Sequence, residues 1–174
     1  MEHRTTAEQV VARLSRQDKV RLLSGRDFWS TKAAPGVASI MLTDGPHGLR
    51  KQASSGDHLG LSDSVPATCF PPAVGLGATW DVDLLEEIGR ALGREAAAEN
   101  VGVLLGPGLN IKRHPAGGRN FEYFSEDPVL SGRCAAALVR GVQSQGVGAC
   151  LKHFAANSHE FNRMRAHSVV DERT

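Results

Sequence analysis

Asp44, Arg119, Lys152 and His153 are the residues of this sequence whose types could act together on one small molecule. A carboxylate acceptor, two cations and an imidazole can hydrogen-bond several hydroxyls of a polyol at once, and a neutral sugar ring presents such hydroxyls. Each hydrogen bond to a charged group contributes on the order of 1.5 to 3 kcal/mol, and leaving one unmade when the wrong epimer enters costs a similar amount. The set therefore suits stereochemical selection of a sugar. Other uses stay open: Arg119 and Lys152 could hold an anion, which Asp44 would repel, and the Asp44 carboxylate could simply cap a turn.

The elements around these residues determine whether they meet. Ile40 to Thr43 is a short apolar run that stops at Asp44-Gly45-Pro46-His47-Gly48, turn chemistry throughout. Ala73 to Ala78 is a small-residue strand candidate, followed by a helix that Asp81 caps and whose Leu84, Leu85, Ile88, Ala91, Leu92 and Ala96 share one face. Val101 to Gly106 reads as the next strand. It feeds a Gly- and Pro-rich loop carrying Arg113, His114, Arg119 and Glu122, which ends where Asp127 caps and Pro128 opens a helix through Val142, closed by Gly146. Val147 to Leu151 is a further strand and runs straight into Lys152-His153-Phe154. Alternating strands and helices predict parallel strands joined by right-handed crossovers, the α/β class. That order places Asp44, Arg119, Lys152 and His153 after strand carboxyl ends, where ligands of open α/β sheets and closed barrels bind.

The remaining sequence carries less chemistry. Thr5 with Glu8 has the form of a capping box ahead of Val10, Val11 and Leu14, and Ser15 with Asp18 caps a second short helix stopped by Gly25, so residues 1–25 read as a helical lead-in. Lys51 to Pro66 reads as a long surface loop. Gly75-Leu76-Gly77 lacks the third glycine and the acidic partner of a dinucleotide fingerprint. Among 174 residues, 41% hydrophobic and 22% charged with a net charge of +1, nothing points to nucleic acid or an anionic membrane as partner. The polar opening residues lack the apolar run of a signal peptide, which makes a cytoplasmic location the expectation. Cys69, Cys134 and Cys150 are odd in number and far apart, and are expected to be reduced apolar fillers. The seven histidines show no metalloprotease pairing, His153 and His159 standing six apart, so no metal is expected.

Thr43 to Arg50 (TDGPHGLR), Gly108 to Pro128 (GLNIKRHPAGGRNFEYFSEDP), Val147 to Asn157 (VGACLKHFAAN) and the closing SVVDERT resemble the first domain of the family-three glycoside hydrolases, particularly their bacterial β-glucosidases. The resemblance runs from about Asp18 to the last residue, and the GGR.FE..SEDP and KHF segments at this spacing make it specific. It implies a TIM-type (β/α)8 barrel, of which residues 26–174 would be the first part. A whole barrel typically needs about 250 residues, so the chain is expected to end before the barrel is complete.

The resemblance also implies roles. Asp44, Arg119, Lys152, His153 and Arg163, the last eleven positions after Lys152, correspond to residues that hold the non-reducing terminal sugar of a β-glucoside or oligosaccharide. None of them is the nucleophile. The nucleophile and the general acid of retaining hydrolysis are expected in a following part of the same polypeptide, and no metal or organic cofactor is implied. His159 and His167 depart from the family pattern, which more often has glutamine and aspartate there. Glu122 is expected to pin the loop and Glu126 to belong to a helix start. Two other classes remain as alternatives: a carbohydrate-binding or remnant module without catalysis, and a phosphate-binding α/β enzyme.

Overall fold

Polar caps and apolar faces account for the helices of the computed structural model, which describes residues 6–53 and 63–174. Helix α1 (Ala7–Arg13) opens with a capping box of Thr6 and Gln9; the expected Thr5 lies outside the described residues. Helix α2 (Arg16–Arg21) is capped by Ser15, whose hydroxyl accepts from the Asp18 N–H, and it ends well before Gly25. Neither helix contains a buried residue.

Strand β1 (Leu42–Asp44) ends on the carboxylate singled out above. The turn beyond it is closed twice: the Arg50 N–H donates to the Asp44 carbonyl at 2.9 Å, and the buried Thr43 hydroxyl donates to the Arg50 carbonyl at 2.6 Å. Gly45 makes this turn possible, with φ of 124° and no room for a Cβ, which would lie 2.1 Å from the Gly48 carbonyl oxygen. From the expected long loop, residues 54–62 lie outside the described residues.

Ala73 to Ala78, expected as a strand, is instead helix α3 (Ala73–Thr79). A short apolar run has no period by which to separate the two states, and tertiary contacts decide here. Leu76 is buried, Gly77 lies so close to the Phe124 backbone that a Cβ would stand 2.5 Å from its carbonyl oxygen, and the Ala73 N–H donates to His47 Nε2 at 3.1 Å. Trp80, in the left-handed conformation, ends the helix.

Helix α4 (Val82–Ala98) starts at Asp81, whose carboxylate accepts from the N–H groups of Asp83 and Leu84. Its buried stripe is Leu85, Gly89, Leu92, Gly93 and Ala96, with Leu84 left at the exposed margin. Helix α5 (Pro128–Gln143) starts at Asp127 and buries Cys134, Ala135, Ala137, Leu138, Gly141 and Val142. Each fully buried Leu or Val contributes about 1.5 to 3 kcal/mol, and the glycines let the two backbones approach.

Strands β2 (Val103–Leu105) and β3 (Gly148–Ala149) complete a parallel three-stranded sheet in the order β1-β2-β3. Leu42 pairs with Val103 and Asp44 with Leu105; Val103 in turn pairs with Gly148. Pairing continues past the strands through a parallel bridge between Gly108 and Lys152, so the segments that follow β2 and β3 leave the sheet side by side. Of the cysteines, only Cys134 is the buried filler expected. Cys69 and Cys150 are exposed, because they fall outside the helical faces that close the core.

Candidate functional site

Asp44 and Lys152 leave two strands that flank β2, and their side chains meet across it. Lys152 Nζ donates to Asp44 Oδ1 at 2.6 Å. The residues leaving β2 between them are Gly106, Pro107 and Gly108, and a Cβ at 106 or 108 would lie 2.7 Å from Pro46 Cβ or from the Glu122 carbonyl oxygen. The Asp44 side chain stays 41% exposed against 15% for Lys152, so the carboxylate is the member of the pair that an incoming molecule can touch. Burial pushes the Asp44 carboxyl up, but the Lys152 hydrogen bond and charge, the Gly45 N–H and the Arg50 charge more than offset it, leaving it below the usual aspartate value.

Arg119 and His153 form the second half. The loop after β2 turns back through a short 3-10 segment (Asn120–Glu122), which Asn120 ties down by donating to the carbonyls of His114 and Pro115. Buried Glu122 takes the Arg119 Nε–H in an ion pair. Burial works against the Arg119 charge, and Glu122 more than offsets it, so the guanidinium holds its proton more firmly than usual. Arg119 Nη2 stands 3.1 Å from His153 Nε2, and His153 Nδ1 stands 2.8 Å from the Tyr123 hydroxyl. The His153 backbone is gripped at both ends by Asn110, whose Oδ1 accepts from its N–H at 2.7 Å and whose Nδ2 donates to its carbonyl at 3.0 Å.

The adjacent residues Lys152 and His153 join the two halves, and half-buried His47 lies within the charge field of Glu122, Lys152 and Asp44. Arg163 enters at the margin. Its Nη1 pairs with Glu160 Oε2 at 3.3 Å, and Glu160 Oε1 stands 3.7 Å from Arg119 Nη1. Asp44, Arg119, Lys152, His153 and Arg163 are thus parts of one connected polar cluster. Glu122 pins the loop as expected, and Asp127 caps α5 as expected, with Glu126 just ahead of it. Arg113 and His114 stay out of the cluster, His114 Nδ1 accepting the Ala116 N–H within its own turn.

Sequence reading missed Tyr123, Asn110, His47 and Glu160. Their only signal was to sit inside the loop and turn segments that carry the charged residues. A cavity of about 840 Å³ lies beside Lys152 and His153, walled by Leu109, Ile111, Leu151, Phe154 and Val170. Asp44 and Arg119 do not line it, although Asn110, Arg113 and Ser158 do.

Burial pushes both His47 and His153 below the ordinary histidine value, aided at His153 by the Arg119 charge. A depressed histidine stabilises the fold above its unfolded pKa of about 6.5, and that contribution is lost as pH falls from there through the lower folded values. The chemical denaturation midpoint is therefore expected to fall between pH 7.5 and pH 5.5. The drop should shrink in His47→Gln, which can accept from the Ala73 N–H without titrating; an equal drop in both proteins would remove His47 from the account.

The family model for the glycosyl hydrolase family 3 N terminal domain matches residues 30–173. The chain belongs to glycosyl hydrolase family 3. It is 57% identical over 169 residues to thermostable beta-glucosidase B of Acetivibrio thermocellus, covering 96% of this chain and 22% of that protein. It is 52% identical over 163 residues to the exo-alpha-(1->6)-L-arabinopyranosidase of Bifidobacterium longum, covering 92% of this chain and 22% of the relative. Among solved family 3 structures, beta-glucosidase 3B from Thermotoga neapolitana in complex with glucose superposes with a TM-score of 0.80 at 42% identity, over 90% of this chain and 24% of that one. The chain thus spans about a fifth of the length of these relatives. The α/β arrangement of parallel strands and helices is that of the family's N-terminal domain. No described helix is long and apolar enough to cross a membrane.

Proposed function

We propose that this chain supplies the sugar-recognising part of a retaining β-glucosidase-type exo-hydrolase that releases terminal non-reducing β-D-glucosyl residues. The observation that carries the reading is the joining of Asp44, Lys152, Arg119 and His153 at the carboxyl ends of parallel strands, in a family 3 chain most of which aligns with a β-glucosidase. In this reading those residues and Arg163 line the subsite for the terminal sugar, Asp44 accepting from hydroxyls and the cations donating to them. Retaining hydrolysis needs a carboxylate nucleophile and a carboxylic acid about 5 to 5.5 Å apart. In this reading Asp44, paired with Lys152, and Glu122, buried against Arg119, are neither of the two, and the resemblance to β-glucosidases of which the chain spans about a fifth implies that both catalytic carboxyls lie in a following part of the polypeptide. The two-carboxyl chemistry of this reading calls for no metal or organic cofactor.

The same reading divides the chain into a helical lead-in, 1–25, and the opening units of a (β/α)8 barrel, 26–174, in the cytoplasm. Strand β3 pairs only with β2 among the described residues, and Phe154, Phe161, Met164 and Val169 are exposed beyond it. A following strand and helix would cover that apolar surface.

A second reading concerns the sugar. Similarity to an arabinopyranosidase at 52% identity favours a terminal α-L-arabinopyranosyl group as an alternative substrate. Both readings are tested in a chimera in which this chain replaces the matching segment, 22% of the length, of the Acetivibrio thermocellus enzyme. The expected result is faster cleavage of an aryl β-D-glucoside than of an aryl α-L-arabinopyranoside, with β-D-glucose as the first product seen by NMR. The reverse preference selects the second reading, and hydrolysis of neither substrate rejects both.

A further inference from the structure

We propose that Tyr123 is a positioning residue: its hydroxyl accepts the Nδ1–H of His153, leaving Nε2 as the lone-pair acceptor that aims the Arg119 guanidinium. The argument is one of donors and acceptors. A guanidinium only donates, so the 3.1 Å contact of Arg119 Nη2 with His153 Nε2 is attractive only if Nε2 carries no proton. The proton of the neutral ring is then on Nδ1, and Nδ1 faces Tyr123 Oη at 2.8 Å. Asn157 Nδ2 reaches the same oxygen at 3.3 Å, so the tyrosine accepts twice, within the capacity of a hydroxyl.

Neither alternative protonation state fits. A proton on Nε2 would set N–H against N–H at Arg119. An imidazolium would do the same and would add a charge beside Arg119, Lys152 and Arg163, opposed by Glu122 alone among the charged groups acting on the ring. Tyr123 is only 1% exposed and cannot trade its histidine contact for water.

The consequence is for Arg119. Its Nε is held by Glu122, its Nη2 by His153, and Glu160 stands 3.7 Å from its Nη1, so the guanidinium plane is set before any ligand arrives. Both ring nitrogens of His153 are engaged by protein groups here, so within the proposed subsite the imidazole also orders the Arg119 guanidinium beside it. This last step rests on the function proposed above; the tautomer assignment does not.

Two measurements test the proposal. In the chain labelled with ¹⁵N-histidine, two-bond ¹⁵N–¹H correlation near pH 7.5 should show His153 as the Nδ1–H tautomer, its signals assigned by their loss in His153→Gln. The form should shift toward Nε2–H in Tyr123→Phe. An Nε2–H ring in the unsubstituted chain, or an unchanged tautomer in Tyr123→Phe, overturns the proposal. In the chimera, Tyr123→Phe should lower kcat/KM for an aryl β-glucoside about tenfold, but cause no further loss once Arg119→Ala is present. Equal losses in both backgrounds would show that Tyr123 does not act through Arg119. A chimera that cleaves no glycoside fails the proposed function, while the tautomer measurement still decides the role of Tyr123.

Discussion

Asp44→Ala in the chimera is expected to lower kcat/KM for an aryl β-glucoside by about a hundredfold or more, with the folded state retained. Two effects add. The variant loses a paired carboxylate that is open to an incoming molecule, being 41% exposed, and it leaves Lys152 without its partner at 2.6 Å. Two charge-assisted hydrogen bonds to a sugar, each contributing about 1.5 to 3 kcal/mol, account for that factor. The fold should survive because the turn beyond β1 is closed by backbone groups and Thr43, not by the Asp44 carboxylate. Asp44→Asn separates charge from shape: an amide can still accept from Lys152 and from a hydroxyl, so its loss should be smaller. Kinetics of Asp44→Ala within threefold of the parent would remove Asp44 from the sugar subsite. Lys152→Ala should fall in the same range, since it breaks the same pair from the other side.

Gly141→Ala is expected to cost about 3 kcal/mol or more of stability, read as a lower midpoint in chemical denaturation with little change in slope. A Cβ at 141 would lie 2.2 Å from the Glu86 carbonyl oxygen, 2.7 Å from the Arg90 nitrogen and 2.8 Å from the Gly89 carbonyl carbon. All three atoms belong to the backbone of α4, which cannot rotate aside as a side chain would, so the helices must separate. The reciprocal position behaves alike, because a Cβ at Gly89 would meet the Leu138 carbonyl oxygen at 2.3 Å. Gly132, also within α5, is the control: a Cβ there meets nothing within 4 Å, and alanine is the better helix former. Gly132→Ala should therefore be neutral or slightly stabilising. Equal destabilisation by the substitutions at 132 and 141 would mean that helix packing is not the cause.

Much of the frame was legible in the residues themselves. Ser15, Asp81 and Asp127 cap the helices they were expected to cap, because a cap is a contact between groups two or three positions apart. Leu85, Leu92 and Ala96 of α4 and Ala137, Leu138 and Val142 of α5 are buried as their spacing predicts, while Leu84 and Val129 are exposed, and the expected strands at Asp44, Val103 and Val147 give the parallel sheet with Asp44 at a strand end. Family membership was legible too, since it rests on short segments such as GGRNFEYFSEDP that can be read without coordinates.

What needed the tertiary structure were the partners. Ala73 to Ala78 is a helix because of Phe124 and His47, which lie far away in sequence. The Asp44 contact with Lys152 spans 108 positions, and those of Tyr123 with His153 and Asn157 span 30 and 34. Nothing in the sequence near Tyr123 says that its hydroxyl faces an imidazole, or that Asn110 holds the backbone of His153. The sequence by itself determined which residues could cap, alternate or carry charge, because those properties act over a few positions. Only the pairing of β1 and β3 on either side of β2 decided which of the charges meet, since that distance is a property of the sheet and not of the chain.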